Sequence, residues 1–211
     1  MNRIETRMTS FEKSLIEMAY STYTAIEKAQ EALLKNDKSL ALDVIERDEH
    51  LNYLEESINR QAIEIFTLLQ PVAKDLRLLI GGIKIANDLE RIGDYGKNMG
   101  RFVIKSDEDI TPYVKDLKAL IAVFLTNFKD ALALIEKRDV KHAHQVALAD
   151  EQLDASFNRF MQELNNKTMK EKAFPLEISG LARNIERAGD HAKNIAEEVI
   201  YIVNGQHIDF G

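Results

Sequence analysis

Apolar residues recur at steps of three and four along almost the whole chain, the spacing of one buried helical face. Leu76, Leu79, Ile83 and Ala86 illustrate it well. Long periodic stretches poor in glycine and proline read as helices. The three prolines, Pro71, Pro112 and Pro175, stand where such a stretch breaks. The pattern predicts six helices over about 5–36, 38–70, 73–105, 111–138, 139–170 and 174–204. Asn36-Asp37, Ser106-Asp107 and Arg138-Asp139 offer turn or N-cap chemistry between them. Helices of roughly 30 residues are about 45 Å long, which implies elongated bundles. No alternating pattern of the strand type competes.

The two halves repeat. Asp-Leu-Glu-Arg-Ile-Gly-Asp-Tyr-Gly-Lys-Asn at 88–98 matches Asn-Ile-Glu-Arg-Ala-Gly-Asp-His-Ala-Lys-Asn at 184–194, an offset of 96. Upstream, Lys35, Asp37, Ala41, Val44, Asp48, Glu49 and Leu51 return as Lys137, Asp139, Ala143, Val146, Asp150, Glu151 and Leu153, an offset of 102. The first copy is thus six residues longer between its two acidic segments. The expected architecture is all-α: two tandem, pseudo-symmetric three-helix bundles, residues 1–106 and 107–211. A bland bundle would need only its apolar pattern to repeat, whereas here charged residues repeat too.

Charge and composition narrow the function classes. Lys and Arg number 28 against 35 Asp and Glu, a net charge of −7, which speaks against a phosphate-backbone grip on nucleic acid. With no cysteine, disulfides, thiol chemistry and thiolate metal sites are excluded, so any metal falls to oxygen or imidazole ligands. No apolar run approaches the roughly 18 residues of a membrane span, and the N-terminal residues lack a secretory pattern. The expected location is the cytoplasm.

The candidate chemistry lies in the repeated acids. Glu90 and Asp94, like Glu186 and Asp190, are four apart on a helix, hence about 40° apart around the axis and on one face. Gly93 and Gly189 precede the aspartates at a cost of about 1 kcal/mol each relative to alanine, and leave room for a close neighbour. A second pair lies upstream: Asp48 with Asn52, and Asp150 with Asp154. If the second and third helices of each half pack antiparallel, the pairs converge. Four oxygen-bearing side chains then suit Mg²⁺, Mn²⁺ or iron. Asn52 is neutral, so the first site should bind metal more weakly. The competing reading pairs these acids with Arg91, Lys97, Arg187 and Lys193, and gives Arg91 and Arg187 salt bridges to the other half. All five histidines, including His191, read as surface or rim residues. No phosphate loop, Ser-His-Asp order or activated nucleophile is visible, so an enzyme is not expected.

The segments Leu89–Tyr95 and Ile185–His191, with Gln70–Arg77 before the first of them, resemble the PhoU family of phosphate-signalling regulators over nearly the whole chain. That resemblance implies two similar three-helix bundles binding multinuclear iron or zinc clusters through paired acidic motifs. Carried onto this chain, the metal ligands are Asp48, Glu90 and Asp94, and Asp150, Asp154, Glu186 and Asp190. Asn52 stands where the family usually has aspartate. The resemblance further implies a non-enzymatic negative regulator of phosphate uptake and of the phosphate-starvation response. Its partners would be the ATPase subunit of a phosphate ABC transporter and a sensor histidine kinase, with homodimers common and membranes reached only through partners. The alternatives are a metal-dependent hydrolase and a plain helical scaffold.

Overall fold

The computed structural model describes residues 3–106, 110–170 and 175–210, with 167–170 and 175 described by backbone alone. All regular structure among them is helical: α1 (Arg3–Lys35), α2 (Lys38–Leu69), α3 (Ala73–Lys105), α4 (Thr111–Lys137), α5 (Val140–Lys170) and α6 (Pro175–Asn204). The periodicity therefore placed every helix to within a few residues.

Local chemistry explains where the helices stop. After α1 the chain turns at Asn36, φ 49°, and Asp37 caps α2 by accepting from the Leu40 amide at 3.0 Å. Left-handed Gln70 ends α2 just before Pro71. Left-handed Arg138 ends α4, and the Asp139 carboxylate accepts from the Lys141 amide at 3.0 Å to start α5. The junction between the halves is different. Ser106 closes α3 through its amide to the Phe102 carbonyl, 2.8 Å, and α4 begins at Ile110 with no side-chain cap and Pro112 in its first turn. Asp107, the expected cap, lies outside the described residues.

Helices α1, α2 and α3 pack on one another, as do α4, α5 and α6; α3 lies against α6, and α1 against α4. One hydrophobic cluster runs through both sets, from Phe11, Ile26 and Leu79 to Phe124, Phe128 and Ile195, each fully buried. A buried Leu, Ile or Phe stabilises the fold by about 1.5–3 kcal/mol. The stripe on α3 is centred on Leu79, Ile85, Ala86, Leu89 and Ile92, so Leu76 and Ile83 lie at its half-buried edge. Polar links also join the two sets. Tyr20 donates to Glu136 at 2.8 Å, and Lys84 pairs with Glu198 at 2.7 Å. The expected boundary at 106/107 falls beside residues outside the description.

Candidate functional site

The acids of the first half come together between α2 and α3. Asp48 is buried on α2, and its carboxylate bonds to the Lys97 ammonium from α3. Lys97 also lies 3.6 Å from Asp94, so one lysine spans both helices. Asn52 donates to Asp48 at 3.5 Å. On the outer side Arg91 sits 3.5 Å from both Glu90 and Asp94. Arg91 thus pairs within its own helix, where a bridge to the other half was one expectation. Burial pushes the Glu90 carboxyl above its usual range; Asp94, Glu55 and Asp48 add repulsion that Arg91 opposes. Lys97 is held above the usual lysine range, chiefly by its bond to Asp48.

The second half repeats this arrangement with one more carboxylate. Buried Asp150 on α5 accepts from Lys193 of α6 at 3.1 Å. Burial raises Asp154, with repulsion from Asp150 adding and Lys193 opposing. Burial likewise raises Glu186, reinforced by Asp190 and Asp154. Asp190 is raised by burial and then by Asp150, while Lys193 pulls the other way. Burial works against the charge of Lys193, yet its bond to Asp150 and the charges of Asp150, Asp190 and Asp154 hold it above the usual lysine range. Three of the four acids are thus short of compensating positive charge.

The glycines explain how the helices come close enough. A Cβ on Gly93 would lie 2.6 Å from Leu51 Cδ1, and one on Gly189 only 2.1 Å from Leu153 Cδ2 and 3.2 Å from Asp150 Oδ1. Leu51 and Leu153 are themselves counterparts in the repeat, so the same knob fills the same gap in both halves. This is the structural reason for the glycine before each aspartate. It brings Asp48 and Asp150 against the opposite helix.

The structure therefore brings Asp48 and Asp94 to Lys97, with Glu90 one turn before Asp94 beside Arg91, and Asp150, Asp154 and Asp190 around Lys193, with Glu186 next to Asp190 and Asp154. Among the described residues no three carboxylates or imidazoles are already drawn together tightly enough to hold a metal ion. The lysines occupy that role instead. Whether the donors fit a metal turns on their chemistry: clustered carboxylates raised by mutual repulsion and burial gain from a divalent cation more than from one ammonium.

One polar link was missed in the sequence. His191 Nδ1 lies 2.8 Å from the carboxylate of Asp88, a buried residue of α3, and Asn194 donates to the same oxygen at 3.4 Å. His191 also packs on Tyr95, with ring centroids 5.9 Å apart. It is a part-buried connector between the halves, where a rim position was expected. The signal was available: Asp88 and His191 are positions at which the two copies of the motif differ, Asn184 and Tyr95 being their counterparts.

Fold and site define a class: a duplicated three-helix protein with one lysine-bridged acidic cluster per repeat. The chain belongs to the PhoU family, whose domain model matches it twice, over residues 15–103 and 117–199. It is 32% identical over 210 residues to the phosphate-specific transport system accessory protein PhoU homolog of Rhizobium meliloti, covering 97% of this chain and 89% of that protein. The homolog of the same name from Clostridium acetobutylicum is 26% identical, covering 97% and 96%. The crystal structure of PhoU from Pseudomonas aeruginosa superposes with a TM-score of 0.86 at 30% identity, over 97% of this chain and all of that one. PhoU from Streptococcus pneumoniae, at 22% identity, shares the fold with a TM-score of 0.91, over 98% and 100%.

Proposed function

We propose that the chain is a non-enzymatic accessory protein of a phosphate ABC transporter, which restrains phosphate uptake and represses the phosphate-starvation response. The observation that carries this reading is the family match across both repeats, together with relatives named as accessory proteins of phosphate-specific transport. Among the described residues no helix is long and apolar enough to cross a membrane, in keeping with a protein that reaches the transporter by docking from the cytoplasm. Its partners in this reading are the transporter's ATPase subunit and a sensor histidine kinase, and it works as a homodimer.

The acidic clusters are the metal sites of this reading. Asp150, Asp154, Glu186 and Asp190 would hold one centre, and Asp48, Glu90 and Asp94 the other. Iron or zinc are the leading candidates, Mg²⁺ and Mn²⁺ the alternatives. A bound cation would supply the positive charge the carboxylates lack and release Lys193 and Lys97 toward solvent. Asn52 makes the first centre the weaker.

Deletion of the gene tests the regulatory reading. Phosphate uptake should rise and starvation genes should be expressed in phosphate-rich medium; restoring the wild-type chain should reverse both. Uptake and expression unchanged by a clean deletion would refute it.

A further inference from the structure

The Gln70–Arg77 segment contributes nothing to either acidic cluster, yet it lines a cleft of about 480 Å³ between the two halves. Lys74 and Arg77 come from the first turns of α3, and Arg138 from the left-handed end of α4. The apolar part of the lining comes from Met8 of α1, Leu78 of α3 and Ile202 and Val203 of α6. Of the two acids present, Glu12 is committed to Arg138 at 3.1 Å, which leaves Asp75 against two cations. Neither Lys74 nor Arg77 has an ion-pair partner among the described residues. The Nε of Arg77 is enclosed, without a hydrogen-bond partner, and packs beneath Gly205. Because Gly205 does not line the cleft, this nitrogen is walled off from it; it anchors the stem of Arg77, whose side chain lines the cleft. Lys74 and Asp75 belong to the first turn of α3, whose N-cap Val72 places no side chain on the first-turn amides. A positive helix end then adds to the two cations. In a chain of net charge −7 this is a local reversal of sign.

We propose that this cleft binds the dianionic phosphoryl group of a small phosphomonoester, anchored by Arg77 and Lys74. A guanidinium and an ammonium lining one cleft supply several donors for the oxygens of a tetrahedral oxyanion. The cleft falls within the roughly 300–1,000 Å³ range of small-molecule sites, and Met8 and Ile202 give the organic body of an ester an apolar surface. Because its walls come from both halves, occupancy would tie α1 and α3 to the ends of α4 and α6. The site is separate from the acidic clusters and does not depend on metal in them.

Calorimetric titration of the full chain, stripped of metal and dialysed, tests this with glycerol 3-phosphate and with inorganic phosphate as probes. The ester should bind saturably at one site, more tightly than inorganic phosphate. Arg77→Gln and Lys74→Gln should each weaken it about tenfold, the scale of one charge-assisted contact. Arg60→Gln, an exposed arginine of α2 paired with Glu56 at 3.1 Å and outside both the cleft and the acidic clusters, should bind as wild type. Lys74 is exposed, so its variant reports on binding even if Arg77→Gln lowers the unfolding temperature. The proposal is overturned if neither probe binds the wild type, or if both cleft variants bind as wild type does. Inorganic phosphate binding as tightly as the ester would overturn the role of the apolar wall.

Discussion

At Gly189 the missing methyl group sets how closely α5 and α6 approach. Alanine there gains about 1 kcal/mol of helix propensity but sets its Cβ 2.1 Å from Leu153 Cδ2 and 3.2 Å from Asp150 Oδ1, and Leu153, being fully buried, must displace packed neighbours to make room. Gly189→Ala should therefore lose about 1–2 kcal/mol in urea denaturation. Gly180→Ala, whose Cβ meets nothing within 4 Å, should gain about 0.5–1 kcal/mol. A second expectation concerns Asp190. A carboxyl raised above its unfolded value destabilises the fold when ionised: its contribution is favourable below the unfolded range and is lost as pH rises through the raised value. In metal-free protein Asp190→Asn should thus raise the thermal midpoint at pH 7, and that gain should shrink as pH falls and vanish below the ordinary carboxylate range, where the wild-type carboxyl is protonated in both states. The acids themselves were legible in the sequence because charge repeated where a core alone would repeat only apolar positions. That Lys97 and Lys193 would bridge them was legible only as one of two readings. Spacing gives the azimuth of a side chain on its own helix; which residue it meets on the next helix depends on axial register.

The helices were legible almost to their ends, because Asp37, Gln70-Pro71, Arg138-Asp139 and Pro112 each terminate or start a helix through a local interaction. The position of α3 in the bundle was less so: Ile83 read as part of the stripe but lies at its edge, because α3 is enclosed by α1, α2 and α6 and buries a wider arc than one stripe. The same enclosure puts Asp88 and His191 inside the α3/α6 contact. A double-mutant cycle on Asp88→Ala and His191→Ala should give a coupling of about 0.5–1.5 kcal/mol, the worth of a part-buried hydrogen bond. Additive losses would mean that the pair does not help to hold the halves together.

Across the whole molecule, the repeat produces two acidic clusters that share a plan and differ in one side chain. Each has a glycine that admits a leucine, a buried aspartate and a lysine between helices; only the second has an aspartate at the place of Asn52. The duplicated fold was legible, because both offsets run through charged as well as apolar positions. The single core that joins the two sets of helices was not, since sequence periodicity reports that a face is buried and not what buries it. The central claim is that the lysines yield to a divalent cation and that the second cluster binds it better. Anomalous diffraction at the zinc and iron edges, from crystals grown with each ion, tests this most directly. The expected result is a strong peak among Asp150, Asp154, Glu186 and Asp190, with a weaker one beside Asp48, Glu90 and Asp94. Peaks absent from both clusters, or stronger at the Asn52 side, would contradict it.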